Sequence, residues 1–164
     1  EVPARPNVVF NRLAVSSRDG EATFTPSAKR GSWDWTCSGS LRAPKGHLTS
    51  WPDVTFGEPF TVKTVTHDTY CREHGVDAVE FIWADVQGAE VDLIEGGRET
   101  LARTSYLYTE YSNAELYAGQ INLEEILARL PGWRVVQNFP TTEDYADVLL
   151  EINAESIVNE EARA

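Results

Sequence analysis

Ala78-Val79-Glu80-Phe81-Ile82-Trp83-Ala84-Asp85-Val86-Gln87-Gly88-Ala89-Glu90 is the stretch on which the fold turns. Its first seven residues are almost continuously apolar, the pattern of a strand covered on both faces inside a parallel sheet. Asp85 stands at the end of that strand, and a helix follows at once. Ala89, Leu93, Ile94, Gly97 and Leu101 recur at helical spacing. Glu90, Asp92 and Glu95 lie early in this segment and Arg98 and Arg103 late, which suits the helix dipole. The next strand runs from Tyr106 to Tyr111 and brings Glu110 to its end.

Regular structure continues on the carboxyl side. Asn122 and Glu125 have the spacing of a capping box, and Leu123, Ile126, Leu127 and Leu130 fill one helical face before Pro131-Gly132 stops it. Trp133 to Val136 and Val148 to Ile152 read as two closing strands joined by an acidic Thr141–Asp147 connection, with a polar, fraying tail over 153–164. On the amino side, Asn7-Val8-Val9-Phe10 and Leu13 to Ser17 read as strand. Asp19-Gly20 before Glu21 to Thr25 is a hairpin signal, because a type I′ turn needs two residues that tolerate positive φ. Periodicity then lapses over 26–59, a long loop holding Trp33, Trp35 and Trp51. Phe60 to Val65 alternates like a strand, Thr66 caps a short helix through Tyr70 and Cys71, and Gly75 ends it.

Strands alternating with helices specify an α/β fold with a mostly parallel sheet. Such open sheets bind ligands beyond the carboxyl ends of their strands, which puts Asp85 and Glu110 on one functional edge.

With 164 residues and 41% hydrophobic composition, the chain has a globular makeup and the length of one domain, read here as 1–152. A formal charge of −12 repels phosphate backbones and argues against nucleic-acid partners. No run has the length of a membrane span and no signal-peptide pattern opens the chain. Two cysteines, Cys37 and Cys71, lack metal-ligand spacing, so a reduced, cytoplasmic setting is expected.

Asp85 can accept a proton, hold a hydroxyl or bind a cation, or it can simply cap the helix while Gly88 permits the turn. Glu110 can share that site with Asn113 and Tyr117 orienting a ligand, or it can be a plain strand end. Within Trp33–Pro44, Trp35 can stack on a flat apolar face, and Ser38, Ser40 and Arg42 can hydrogen-bond hydroxyls or acids. The same tryptophans can equally pin a long loop to the core. His47, His67 and His74 have no zinc-like spacing, and no metal is indicated. No Gly-x-Ser-x-Gly, phosphate-binding loop or Gly-x-Gly-x-x-Gly is present.

In this order and spacing, Leu13-Ala14-Val15-Ser16-Ser17-Arg18-Asp19-Gly20, Ser38-Gly39-Ser40-Leu41, Thr64-Val65-Thr66 with Tyr70-Cys71, and Ile82 through Glu90 with Glu110-Tyr111-Ser112 resemble the FkbM-type methyltransferases. The resemblance implies a class I methyltransferase (Rossmann-like) sheet with an antiparallel final strand. It also implies S-adenosylmethionine as cofactor and an acceptor hydroxyl, on a sugar or other polyhydroxylated small molecule. Asp85 matches the family's acid beside the transferred methyl group, and Ala14 and Asp85 fall on the cofactor side. Gly88 and Glu90 match the structural part of the motif. Trp35, Ser38, Ser40, Arg42 and Asn113 would shape the acceptor pocket, with Asp85 or Glu110 handling the hydroxyl proton.

The family's glycine-rich first loop and the acid after its second strand have no counterpart here. The expectation is therefore a chain that begins near the third strand and lacks about two strand–helix units, each of roughly 30 residues. The strand Ala78 to Ala84 would then be a free edge, to be covered by a homo-oligomer or another partner. The competing reading is a non-catalytic binding or assembly module that kept the scaffold.

Overall fold

A computed structural model of the chain describes residues 5–153. Its strands are β1 (Ala14–Val15), β2 (Gly20–Phe24), β3 (Ser27–Arg30), β4 (Trp33–Asp34), β5 (Val54–Phe56), β6 (Phe60–Val65), β7 (Val79–Ala84), β8 (Thr104–Ser112), β9 (Trp133–Pro140) and β10 (Tyr145–Ile152). The helices are α1 (His47–Ser50), α2 (His67–His74), α3 (Glu90–Gly96), α4 (Arg98–Leu101) and α5 (Leu123–Arg129). The fold is α/β with mixed parallel and antiparallel sheets.

The largest sheet has the order β7-β8-β10-β9. β7 and β8 are parallel, whereas β10 runs antiparallel to both β8 and β9, so it alone is reversed among these four. Pleating sends Ile82, Ala84, Leu107, Tyr111, Ala146, Val148 and Leu150 to one face. There they meet Leu93, Ile94, Leu101, Ile126 and Leu130 of the helical layer in a single core. Ile126, Val148 and Leu150 are completely buried. Asn122 starts α5 with a true capping box: its side chain accepts from Glu125 N, and the Glu125 carboxylate accepts from Asn122 N.

Sequence and structure part company at several places. Asp19-Gly20 does not close a hairpin: β6 lies between β1 and β2, parallel to the first and antiparallel to the second. The Asp19 carboxylate instead accepts hydrogen bonds from Thr66 N (2.7 Å) and Thr69 Oγ1 (2.8 Å), tying the turn to the start of α2. Asn7 to Phe10 forms no strand; Val8 makes an isolated bridge with Arg5, and Val9 and Phe10 are exposed. The segment 26–59 is not a bare loop but holds the small antiparallel sheet β4-β3-β5 and α1. Finally, β7 is not covered on both faces. It is the edge of its sheet, as the family resemblance led us to expect, and Phe81 and Trp83 on its outer face are largely exposed.

The single helix read from the apolar stripe is two pieces, α3 and α4, broken at Gly97. Close packing explains the small residues there. A Cβ at Gly96 would sit 2.1 Å from the carbonyl oxygen of Ser16, so glycine lets α3 touch the chain just beyond β1. Thr66 caps α2 by accepting from Thr69 N, and Gly75 ends it in the left-handed conformation, as the sequence predicts. The tail read over 153–164 lies outside the described residues beyond Asn153. No helix is long and apolar enough to cross a membrane among the described residues.

Candidate functional site

Asp85 follows directly on β7, and Glu110 lies near the end of β8, so the parallel pairing of these strands carries both carboxylates to one edge. Between them stands Gln87. Its side-chain Nε2 donates to Asp85 Oδ1 (2.6 Å) and to Glu110 Oε2 (3.0 Å). Its Oε1 accepts from the Tyr117 hydroxyl (2.9 Å), and its backbone carbonyl accepts from Ser40 Oγ (2.7 Å). Gln87 has a φ of +48°, the one non-glycine positive φ among the described residues. Gly88 follows at +87°, and a Cβ there would lie 2.6 Å from the Cβ of Tyr117. Glycine is required at 88 by both conformation and space.

Burial governs the charge of the site. Removal from water, aided by the nearby charges of Asp85 and Asp147, pushes Glu110 up to about 7 against the pull of the hydrogen bond from Tyr145. Glu90 is 2% exposed. Burial pushes it up to about 7 as well, with Glu110 and Asp85 adding to the rise and the bond from Gly88 N (3.1 Å) opposing it. Its Oε2 has no hydrogen-bond partner. Tyr117 and Tyr145 are raised chiefly by burial, so both hydroxyls keep their protons and can donate. His47, also buried, is held below the usual histidine range and is neutral near pH 7.

Two cavities open at this edge. The first, of about 340 Å³, is bordered by Asp85, Gln87 and Glu110 on one side and by Trp35, Trp51, His47, Tyr117 and Tyr145 around its walls. Its aromatic wall is continuous: the His47 ring centroid lies 4.9 Å from that of Trp51 and 5.4 Å from that of Tyr117, and Trp51 meets Tyr145 edge-on at 6.0 Å. The second, of about 330 Å³, is walled mainly by apolar groups including Leu13, Ala14, Val15, Phe24, Leu41 and Val86. Asp85 borders both, and no other described residue does.

Of the residues singled out in the sequence, Trp35 and Ser38 border the first cavity, with Trp35 Nε1 donating to Ser38 Oγ (2.9 Å). Ala14 and Ser40 border the second. Arg42 borders neither. Its Nε donates to Asp92 Oδ2 (2.8 Å), and it lines a separate groove with Ser16, Ser17 and Arg18. Asn113 is exposed and borders neither cavity; its backbone N–H donates to Asp144 O (2.7 Å). Gly88 and Glu90 shape the turn beneath Gln87. Gln87, Trp51, His47 and Tyr145 also border the first cavity, and local sequence pattern does not mark them as site members. The one available signal for Gln87 was its place directly after a strand-end acid and before a glycine.

The methyltransferase FkbM domain model matches residues 1–152. The 2-O-methyltransferase NoeI of Sinorhizobium fredii (strain NBRC 101917 / NGR234) is 46% identical over 139 residues, which cover 84% of this chain and 57% of that protein. The chain thus spans little more than half the length of this curated relative. No solved structure matches it. Because the family model covers the strand-end acid, the turn at Gly88 and every described strand and helix in one continuous match, the chain belongs to the FkbM methyltransferase domain family.

Proposed function

We propose that this chain forms the acceptor side of an S-adenosylmethionine-dependent O-methyltransferase acting on a hydroxyl of a sugar or another polyhydroxylated small molecule. The observation that carries the reading is the position of Asp85, alone among the described residues in bordering both the aromatic cavity and the apolar cavity beside Ala14. A group in that position can touch an acceptor on one side and a methyl donor on the other.

The residues present fit one end of the cofactor. The apolar wall beside Ala14, ending in the Asp85 carboxylate, suits the cofactor's cationic sulfonium and the methyl group it carries. When bound, S-adenosylmethionine supplies an electrophilic methyl group. Asp85 then acts on the acceptor, orienting its hydroxyl and accepting the proton as the oxygen attacks. Glu110, which titrates near neutrality, supplies a second contact to the same ligand. Trp35 and Trp51 offer flat apolar surfaces to the ring face of a sugar, and the two carboxylates disfavour an anionic acceptor.

The sheet order supports the finer reading of the fold. A reversed β10 inserted between β8 and β9 is what the second half of a class I methyltransferase sheet requires, with β7 as the strand on which the two further strand–helix units would build. Cys37 and Cys71 are unpaired thiols, which supports a cytoplasmic setting.

The test is transfer of isotopically labelled methyl from S-adenosylmethionine by the gene product carrying this chain. Neutral glycosides and matched uronic acids serve as acceptors, and the product is located by mass spectrometry and NMR. Label on a hydroxyl oxygen of a neutral acceptor is the expected result. A protein that binds cofactor yet methylates none of these hydroxyls, or only carboxylates, overturns the reading.

A further inference from the structure

We infer that Gln87 is the positioning residue of this site: its side-chain amide holds the Asp85 and Glu110 carboxylates in one orientation where the two cavities meet. The inference rests on the methyltransferase reading for its catalytic meaning, but its geometry stands independently.

Backbone and side chain make opposite demands at position 87. A φ of +48° is left-handed territory, where a residue with a Cβ is disfavoured and Gly or Asn is usual. Gln offers the turn no backbone advantage, so what favours it there is its side chain. That side chain is fully engaged. One amide hydrogen goes to Asp85 Oδ1, the other to Glu110 Oε2, and Oε1 accepts from Tyr117. The backbone carbonyl is fixed by Ser40, so the conformation is held at both ends of the residue.

Electrostatics gives the bridge its purpose. Asp85 and Glu110 face other negative groups, Glu90 from α3 and Asp147 from β10. The other titratable groups around them among the described residues are the Tyr108, Tyr117 and Tyr145 hydroxyls, with Arg30, Cys37 and His47 bordering the same cavity. Left alone, two neighbouring carboxylates turn apart or share a proton. A neutral amide donating to both lets them face the cavity together. Only a side chain of this length with two N–H hydrogens on one nitrogen can do so without adding charge.

Two substitutions separate side chain from strain. Gln87→Met keeps the length and the strained backbone but removes both donors. Gln87→Gly removes the donors and relieves the strain. Both variants should stay folded, with melting temperatures within about 4 °C of the parent and the Gly variant no lower than the Met variant. Both should lose turnover by about a hundredfold, with KM for S-adenosylmethionine changing less than about threefold. The acid limb of the pH–rate profile, and the Glu110 titration followed by carboxyl-carbon NMR, should move up by about one pH unit, since the Glu110 carboxylate loses a bond to its charged form.

Parent-like turnover in the Met variant, or a Glu110 titration unmoved in both variants, overturns the inference. Should the parent transfer no methyl group at all, the functional reading fails, and the NMR titrations alone still decide the role of Gln87.

Discussion

Replacing Glu90 with Gln should change how stability depends on pH more than it changes stability itself. Glu90 is 2% exposed, and its carboxyl receives one hydrogen bond, from Gly88 N, while Oε2 receives none. Burial and the neighbouring Glu110 and Asp85 raise it from 4.5 to about 7. Between those two values the folded chain holds a proton that the unfolded chain has lost. Its contribution to stability is therefore complete below about pH 4.5 and lost as pH rises to about 7. At about 1.4 kcal/mol per unit, the full loss is about 3 kcal/mol.

The chain's pI is near 4.6, so unfolding is best followed from pH 5.5 upward, away from the point of least solubility. Over that narrower window Glu90 accounts for about 2 kcal/mol. Glu90→Gln keeps an acceptor for Gly88 N but has nothing to ionise. It also buries an amide N–H₂, a cost of about 1–3 kcal/mol that does not vary with pH. Urea unfolding by tryptophan fluorescence at pH 5.5, 6.5, 7.5 and 8.5 reads the difference. The variant should gain about 2 kcal/mol on the parent between pH 5.5 and 7.5 and nothing more above it. Parallel profiles across the series would refute the reasoning, since they would mean that Glu90 is ionised throughout.

Three other outcomes follow from single contacts. Gly88→Ala must place a Cβ 2.6 Å from Tyr117 in a left-handed conformation, so it should cost about 2–4 kcal/mol in the same unfolding assay. Asn122→Ala removes the cap of α5 and should cost about 1 kcal/mol, with Asn122→Asp or Asn122→Ser losing little. Trp51→Ala opens the aromatic wall of the first cavity; acceptor KM should rise about tenfold while cofactor binding, measured by calorimetry, holds.

What the sequence disclosed was local. The apolar run into Asp85, the strand carrying Glu110 and the Asn122–Glu125 box each declare themselves within about a dozen residues, through periodicity and capping. Pairing between distant segments left no such mark. Nothing near Asp19-Gly20 signals that β6, some 40 residues on, enters between β1 and β2. The strands β3 to β5 have only two to four residues each, too short for alternation to show.

The site divides in the same way. Trp35, Ser38, Ser40 and Ala14 reach the cavities, but the two arms of the Trp-rich segment serve different ends. Trp33 points to solvent at 77% exposure, whereas Trp51 completes a wall with His47 and Tyr145. Arg42 is drawn off by Asp92, a partner 50 residues away and beyond the reach of local reading. Gln87 could be seen in the motif, but the strain that marks it exists only in three dimensions.

The account stands or falls on Asp85 as the group between acceptor and methyl donor, and Asp85→Asn in the gene product carrying this chain tests it most directly. Binding of S-adenosylhomocysteine, whose sulfur is uncharged, and methyl transfer under saturating acceptor are measured side by side. The account predicts a Kd within about threefold of the parent and turnover reduced by about a thousandfold. Unchanged turnover would contradict it and leave Asp85 with no more than a structural part in the turn before α3.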